Sequence, residues 1–100
     1  MGVRIVSRRK VPENRGAMAF PLIRQLQQMA KKQPGYRSEE TWRNLLRKDE
    51  YLIVREWNSE DEWYEWQSSP ERVQIQREIE SLLGEKTHYE LYDIVQRTEK

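Results

Sequence analysis

Residues 51–70, YLIVREWNSEDEWYEWQSSP, contain an apolar strand pattern, a turn, the start of a helix and three of the four tryptophans. The run YLIV at 51–54 is apolar and partly β-branched, which predicts a strand that continues to Trp57. Side chains alternate between faces along a strand. One face therefore carries Tyr51, Ile53, Arg55 and Trp57, and the other carries Leu52, Val54 and Glu56. Both faces begin apolar, so we expect both to be covered.

A helix is expected directly after this strand. Ser59 and Glu62 have the spacing of a capping box, which predicts a helix from about Asp61. Trp63 and Trp66 would then lie on one face of that helix. A second start signal follows at 69–70, where serine precedes proline at the first helical position. The pattern predicts a short helix, a kink and a longer helix.

The remaining segments complete an alternation of strands and helices. We predict strands at 3–11, 36–45, 51–57 and 87–95, a first helix at 18–32, and a kinked second helix that ends at Gly84. The order β-α-β-β-α-β is that of the α+β ferredoxin-like fold, a four-stranded antiparallel sheet with two helices on one face. The chain is expected to form a single domain, 1–100, with its core in 2–96 and a polar tail at 97–100.

The uncovered face of this sheet predicts self-association. Strands three and four have apolar residues on both faces, whereas the two helices can cover only one. A large exposed apolar face is unusual in a monomer. We therefore expect a homodimer that packs sheet to sheet, as in a dimeric α+β barrel.

Composition excludes several classes of function. Eighteen basic residues are balanced by seventeen acidic ones, so the net charge of +1 gives no support for nucleic-acid binding. The chain has no cysteine and a single histidine, which leaves no recognisable metal site. No apolar run approaches the roughly 20 residues that span a bilayer. A cytoplasmic protein without membrane contact is the expectation.

Four segments resemble the antibiotic biosynthesis monooxygenase family of the dimeric α+β barrel superfamily. They are PGY at 34–36, YLIV at 51–54, WNSED at 57–61 and WQSSPE at 66–71. With the order of elements, the resemblance covers most of residues 2–96. It implies either cofactor-free oxidation of a polycyclic aromatic compound by dioxygen or haem degradation.

The resemblance also allows a comparison of site residues. Haem-degrading members have an asparagine on strand one, a tryptophan on the second helix, and a haem-ligating histidine ten residues later. Trp66 matches the tryptophan, but Gln76 stands at the histidine position and Ser7 lies near the asparagine position. Glutamine is a poor iron ligand compared with imidazole. We therefore expect no haem cofactor of that type.

The leading interpretation is a cofactor-independent monooxygenase acting on a small aromatic or quinone-like compound. Its pocket is expected between helices and sheet, lined by Phe20, Ile23, Trp66 and Gln76 with Ser7 beneath. Trp66 would orient the ring, and Ser7, Gln76 or a tyrosine would hydrogen-bond the enolate. Two alternatives are a non-catalytic ligand-binding dimer of the same fold and a haem-binding protein that uses His88, the only histidine.

Each candidate residue also has a purely structural interpretation. Trp63 and Trp66 are more simply explained as core aromatics. The tyrosines Tyr51, Tyr89 and Tyr92 are expected at the interface between sheets rather than at a substrate. The basic cluster Arg4, Arg8, Arg9 and Lys10 is expected to be a solvated strand face rather than an anion site. For Arg55 and Glu56, an ion pair is as plausible as a place in a pocket.

Overall fold

The computed structural model describes residues 2–100 and has an α+β architecture. The elements are β1 (Val3–Lys10), a single 3-10 turn (Glu13–Arg15), α1 (Gly16–Lys31), β2 (Tyr36–Arg43), β3 (Glu50–Trp57), α2 (Glu60–Gln67), α3 (Pro70–Leu83) and β4 (His88–Tyr92). The strands form one antiparallel sheet in the order β2-β3-β1-β4. The predicted ferredoxin-like fold is confirmed, with the kinked helix present as α2 and α3. None of the helices within residues 2–100 combines the length and apolar character needed to cross a membrane.

Three strands are shorter than the sequence pattern predicts, β1 by a single residue and β2 and β4 by more. β2 ends at Arg43 because the Asn44 side chain accepts hydrogen bonds from the backbone N–H groups of Leu46 and Arg47, which turns the chain. β4 ends at Tyr92 because that residue pairs with Arg4, almost the first residue of β1. Beyond this point only Val3 of β1 remains, so the ladder has little room to continue.

The covered face of the sheet is set by the strand register. The pairs Val3–Trp57, Ile5–Arg55, Ser7–Ile53 and Arg9–Tyr51 lie opposite each other across β1 and β3 on this face. The four β1 residues of these pairs are buried, whereas the residues between them are half-buried or exposed. Apolar side chains of α1, α2 and α3 complete the core against this face. The core comprises Val3, Ile5, Val11, Ala19, Ile23, Leu26, Ala30, Ile53, Trp57, Trp63, Trp66 and Ile79.

The opposite face, which we call the outer face, mixes apolar and charged residues. Val6 lies opposite Val54 at its centre, and Leu52 pairs with the half-exposed Trp42. The β4 residues on this face, His88, Glu90 and Tyr92, pair with Arg8, Val6 and Arg4. β4 is less apolar on this face than the sequence predicts, because Tyr89 and Leu91 share the covered side, Tyr92 alone supplies an aromatic side chain here, and Ile94 lies beyond the end of the strand.

The segments that resemble the monooxygenase family contact one another. The Asn58 N–H donates to the carbonyl of Gly35 at 2.8 Å. The rings of Tyr36 and Trp57 meet edge to face, with centroids 5.8 Å apart. At the start of α2, the Ser59 hydroxyl accepts from the Glu62 N–H and donates to the Glu62 carboxylate at 3.0 Å. These segments fix the end of β3 to the start of α2.

Gly35 is required at this junction for two reasons. Its φ of +90° lies in the left-handed region that side chains rarely adopt, and a Cβ would lie 2.5 Å from Cδ of Glu62. Gly84, at the end of α3, has a similar φ of +76° but open space where its Cβ would be. Both positions have a left-handed backbone, but only a side chain at Gly35 would also clash. Comparing the two positions therefore separates the cost of the backbone from the cost of the clash.

We predict that Gly35→Ala lowers the free energy of unfolding more than Gly84→Ala does. The left-handed backbone costs each variant about 1–2 kcal/mol. Only the Gly35 variant must also displace the capping carboxylate of Glu62, which adds about 1 kcal/mol or more. Urea unfolding of both variants measures the difference. Equal losses would contradict the close packing of Gly35 against Glu62.

Candidate functional site

A cavity of about 160 Å³ lies between α1 and the covered face of the sheet. Its size is close to that of an engineered apolar cavity of about 150 Å³ that binds benzene, so it has room for one aromatic ring. The lining is mainly apolar with a few polar groups, as is usual for ligand pockets. It consists of Arg9, Val11, Phe20, Ile23, Arg24, Gln27, Thr41, Tyr51 and Ile53.

Phe20 and Tyr51 form an aromatic wall at the entrance of this cavity. Their rings meet edge to face, with centroids 5.6 Å apart and planes at 84°. Both residues and Val11 also line an outer cleft of about 440 Å³. Phe20 is 36% exposed. A ligand larger than one ring could therefore place its remainder in the outer cleft, past the Phe20 side chain.

Arg9 brings a buried positive charge to the cavity. It follows Val3, Ile5 and Ser7 on the covered side of β1 and is only 3% exposed. Its Nη2 donates to Oε1 of Gln76 at 3.0 Å. Its Nε and Nη1 are buried and have no hydrogen-bond partner in the described part of the chain. A guanidinium has five N–H donors, so most of the hydrogen-bonding capacity of Arg9 is unused.

The side chain of Gln76 holds Arg9 in place. Its Nε2 donates to Oε2 of Glu80 and to Oγ1 of Thr87, each at 2.8 Å. The backbone N–H of Thr87 also donates to the Glu80 carboxylate. Only one orientation of the amide satisfies these partners, because its nitrogen must face the carboxylate and its oxygen must face the guanidinium. Gln76 therefore links β1 to α3 and to the residue that precedes β4.

Two further arginines are buried near Arg9. Nε of Arg55 donates to Oε1 of Glu39 in an ion pair of 2.5 Å. Arg72 donates to the carbonyl of Gln67 and to the hydroxyl of Tyr89, and its guanidinium carbon lies 5.5 Å from the centre of the Tyr89 ring. Of the three arginines, only Arg55 has a carboxylate in direct contact among residues 2–100. The interior thus has an excess of positive charge.

Burial lowers the pKa of Arg9 to about 10, well below the usual value of a guanidinium; Tyr89 and Glu80 oppose this change, whereas the nearby charges of Arg55 and Arg72 reinforce it. Arg9 is nevertheless protonated at neutral pH. At about 1.4 kcal/mol per pH unit, holding the proton costs the folded state about 3 kcal/mol. Because the pKa is lower in the folded state, this cost is present at every pH below about 10 and is relieved only above it. Desolvation also lowers the pKa of Arg72.

The structure brings together some of the sequence-predicted pocket residues and separates others. Phe20 and Ile23 line the cavity. Trp66 is 2% exposed and lies in the hydrophobic core, away from the cavity lining. Gln76 reaches the cavity through its hydrogen bond to Arg9. Ser7 is buried two residues before Arg9, opposite Ile53 and Tyr89.

Arg9 is the residue that the sequence interpretation misplaced. The prediction of a solvated strand face holds for Arg8 and Lys10, but it is wrong for Arg9, which lies on the covered side. The alternation of Val3, Ile5 and Ser7 continues to residue 9, and that periodicity was the signal for its burial. The positive charge of arginine, taken alone, predicts an exposed position.

Two tyrosines also differ from expectation. Tyr51 and Tyr89 lie on the covered side of the sheet, opposite Arg9 and Ser7, and so do not belong to an interface between sheets. Only Tyr92 lies on the outer face. The ion-pair interpretation holds for Arg55, which pairs with Glu39, and for Glu56, whose carboxylate lies 3.9 Å from Arg4.

The residues present do not fit a haem or metal site. Gln76 is 6% exposed, and its amide is fully engaged with Arg9, Glu80 and Thr87. The only imidazole, that of His88, is exposed on the outer face. Residues 2–100 contain no cluster of three or more metal-ligating side chains.

The chain belongs to a known family. The sequence profile described as antibiotic biosynthesis monooxygenase matches residues 3–78, which include β1, the cavity-lining residues and most of α3. The chain is therefore a member of the antibiotic biosynthesis monooxygenase family. No curated protein sequence matches it.

Solved structures with this fold are similar in shape and distant in sequence. SnoaB, a cofactor-independent oxygenase from Streptomyces nogalater, is 16% identical with a TM-score of 0.84 over 99% of this chain and 98% of its own. A conserved protein from Methanosarcina mazei Go1 is 17% identical with a TM-score of 0.83 over 92% and 91%. An antibiotic biosynthesis monooxygenase is 12% identical with a TM-score of 0.82 over 94% and 99%. At these identities the likeness establishes the fold alone.

We predict that Arg9→Met leaves the free energy of unfolding within about 1 kcal/mol of the parent value or raises it. Removing the buried cation relieves a cost of about 3 kcal/mol, whereas depriving Gln76 of its donor costs about 1–3 kcal/mol. The matched variant Arg55→Met leaves the carboxylate of Glu39 without its partner and should cost about 3 kcal/mol. Chemical denaturation at pH 7 compares them. Equal destabilisation by both would make Arg9 a structural residue.

Proposed function

We propose that this protein is a cofactor-independent monooxygenase that oxidises a small aromatic or quinone-like compound in the Arg9–Phe20–Tyr51 cavity. The carrying observation is the cavity itself, with room for one ring, apolar walls and one buried cation. Membership of the antibiotic biosynthesis monooxygenase family supports the reaction class. SnoaB, whose fold is similar, is described as a cofactor-independent oxygenase.

In such a reaction the substrate itself must reduce dioxygen. For a hydroquinone, one oxygen atom replaces a ring hydrogen and the other leaves as water, so that the products are a hydroxyquinone and water. The substrate supplies all four electrons, and no external reductant is required. The protein contributes a dry pocket, orientation of the ring and stabilisation of negative charge as it develops on oxygen.

Within this proposal the pocket residues have distinct roles. Phe20, Ile23 and Tyr51 would hold the ring by apolar and aromatic contact. Gln76 would act through Arg9 rather than on the substrate. Trp66 would support the pocket indirectly, because it lies in the hydrophobic core and does not line the cavity.

A second candidate is non-catalytic binding of the same class of ligand. The observation that favours it is the absence of any carboxylate or imidazole from the described lining of the 160 Å³ cavity. The acidic side chains of Glu13 and Asp49 lie in the outer cleft, so no ordinary general base faces a ring held in the cavity itself. A binding protein needs no proton acceptor. An oxygenase with this lining depends on a substrate acidic enough to ionise when it is bound.

Oxygen uptake separates the two candidates. The chelator-treated protein is mixed with methylhydroquinone in buffer saturated with labelled dioxygen, and spontaneous oxidation is subtracted. A monooxygenase incorporates one labelled atom into each hydroxyquinone formed. Binding without protein-dependent oxygen uptake would support the non-catalytic candidate and refute the monooxygenase proposal.

We predict that Ile23→Phe lowers both methylhydroquinone binding and oxygen uptake by about tenfold or more, because the larger ring occupies space needed by the ligand. Ile23→Leu conserves the volume and should keep both within about threefold. Calorimetric titration and an oxygen electrode provide the two measurements. If Ile23→Phe binds and reacts as the parent does, the cavity is not the site.

We also propose that the protein is a homodimer through the outer face of the sheet. Val6, Val54 and Leu52 form an apolar strip along β1 and β3, and the half-exposed Trp42 extends it onto β2. A second copy that packs on this strip would remove the apolar surface from water. The surrounding charges, such as the Arg4–Glu56 pair, would form a polar rim.

We predict that Leu52→Glu converts the dimer to monomer at micromolar concentration, because a carboxylate would be buried in the apolar strip without a partner. Gln28→Glu, on the exposed side of α1, introduces the same charge and should leave the dimer intact. Light scattering after size-exclusion chromatography measures the mass of each. A monomeric parent protein would refute the dimer.

A further inference from the structure

We propose that Arg9 is an anion-binding residue and that the ligand of the cavity is an aromatic ring bearing one ionised oxygen substituent, a phenolate or a carboxylate. This inference rests on the proposed function only in taking the cavity as the ligand site. It adds the chemical class of the ligand and assigns a role to a residue that faces the cavity from β1.

Arg9 has unused hydrogen-bonding capacity. Its Nε and Nη1 are buried without a partner in the described residues, at a side chain that is 3% exposed and that lines the cavity. A buried donor without a partner costs free energy, and the cost is larger for a charged group. An oxyanion in the cavity would accept charge-assisted hydrogen bonds from these atoms.

The charges around Arg9 do not balance. The nearby cations are Arg55 and Arg72, and Glu39 neutralises Arg55 by direct contact. The Glu80 carboxylate accepts from Gln76 and Thr87 rather than from Arg9. One added negative charge in the cavity would therefore offset an existing excess of positive charge rather than create an unpaired one.

The guanidinium of Arg9 is also held in a defined position. Gln76 accepts from Nη2 of Arg9 and is itself fixed by Glu80 and Thr87. This anchoring fixes the guanidinium of a residue that lines the cavity. Gln76 is thus a positioning residue, and a preorganised donor loses little entropy when it binds an oxyanion.

The ring of the ligand has a matching place. Tyr51 lies directly opposite Arg9 on β3, and Phe20 meets Tyr51 edge to face. An aromatic ring held against these two side chains can point a single oxygen substituent towards Arg9. The cavity volume of about 160 Å³ admits one such ring.

The test uses 4-nitrophenol, whose visible absorption distinguishes the phenol from the phenolate. Titration of the probe with the full-length protein across pH gives the apparent pKa of the bound probe. We expect the phenolate to bind about tenfold or more tightly than the phenol, so that the apparent pKa of the bound probe falls by about one unit or more. The proton released on binding passes to bulk water.

Two variants locate the effect. Arg9→Gln should abolish the shift, whereas Arg77→Gln removes an equal charge at an exposed position of α3 outside the cavity lining and should preserve it. Gln76→Met should reduce the shift in part, because Arg9 loses its anchor. A shift that survives in Arg9→Gln, or that is lost equally in Arg77→Gln, would overturn the assignment to Arg9. If Arg9→Gln does not fold, Arg9→Lys replaces it and should weaken the shift.

Three further probes complete the experiment: 4-nitroanisole, benzoate and benzyl alcohol. 4-Nitroanisole has the same ring without the ionisable proton and should bind the parent and Arg9→Gln alike. Benzoate that binds more tightly than benzyl alcohol, with the same dependence on Arg9, would identify the carboxylate as the natural form. A shift seen only with the phenol would identify the phenolate.

The outcomes distinguish this inference from the proposed function. Binding of 4-nitroanisole with no preference for either anion would overturn the role of Arg9 and leave the ring-binding cavity in place. Failure of all probes to bind would overturn both. Anion binding that depends on Arg9 without oxygen uptake from methylhydroquinone would support this inference and refute the monooxygenase.

Discussion

The hydrogen bond from Arg9 to Gln76 is the contact on which the candidate site depends. It holds a charged guanidinium inside the layer between helices and sheet, at a cost of about 3 kcal/mol from desolvation. Gln76 in turn bonds to Glu80 and Thr87, so one amide joins β1, α3 and the start of β4. A core built for stability alone would place an apolar side chain at residue 9. A charge held at this cost supports the proposed role of Arg9 at the cavity.

The family resemblance concerns a different part of the molecule. Gly35 packs against Glu62, Tyr36 against Trp57, and Ser59 caps α2, so the matching segments determine how β3 passes into the helices. Such contacts depend on backbone geometry and a few side chains and place little constraint on the rest of the sequence; solved structures share the fold at 12–17% identity. The residues that line the cavity are mostly elsewhere. Family membership therefore accounts for the fold, whereas the proposed chemistry depends on Arg9 and its neighbours.

The sequence predicted those features that depend on local patterns. Alternation gave the faces of β3, and the Ser59–Glu62 spacing gave the start of α2 to within a residue. Features that depend on distant partners were missed. β4 stops where β1 begins, which no local pattern records. Arginine is rarely buried, so the residue type predicts an exposed Arg9, although the alternation along β1 places it on the covered face. The amide of Gln76, distant by 67 residues, makes that burial tolerable.

The cavity has a buried cation and no acidic side chain in its described lining. The affinity of a ligand would therefore depend on whether it leaves the donors of Arg9 unpaired. A neutral aromatic compound would gain the apolar contacts of Ile23 and Phe20 but leave Arg9 with unused donors, as in the empty protein. An anion would gain the same contacts and would also offset the desolvation of Arg9. The difference in binding free energy between the two ligands would then come from the interaction with Arg9 alone. That same interaction would favour the ionised, electron-rich form of a phenol. This form is the better electron donor to dioxygen, so ligand selection and reactivity would both depend on Arg9.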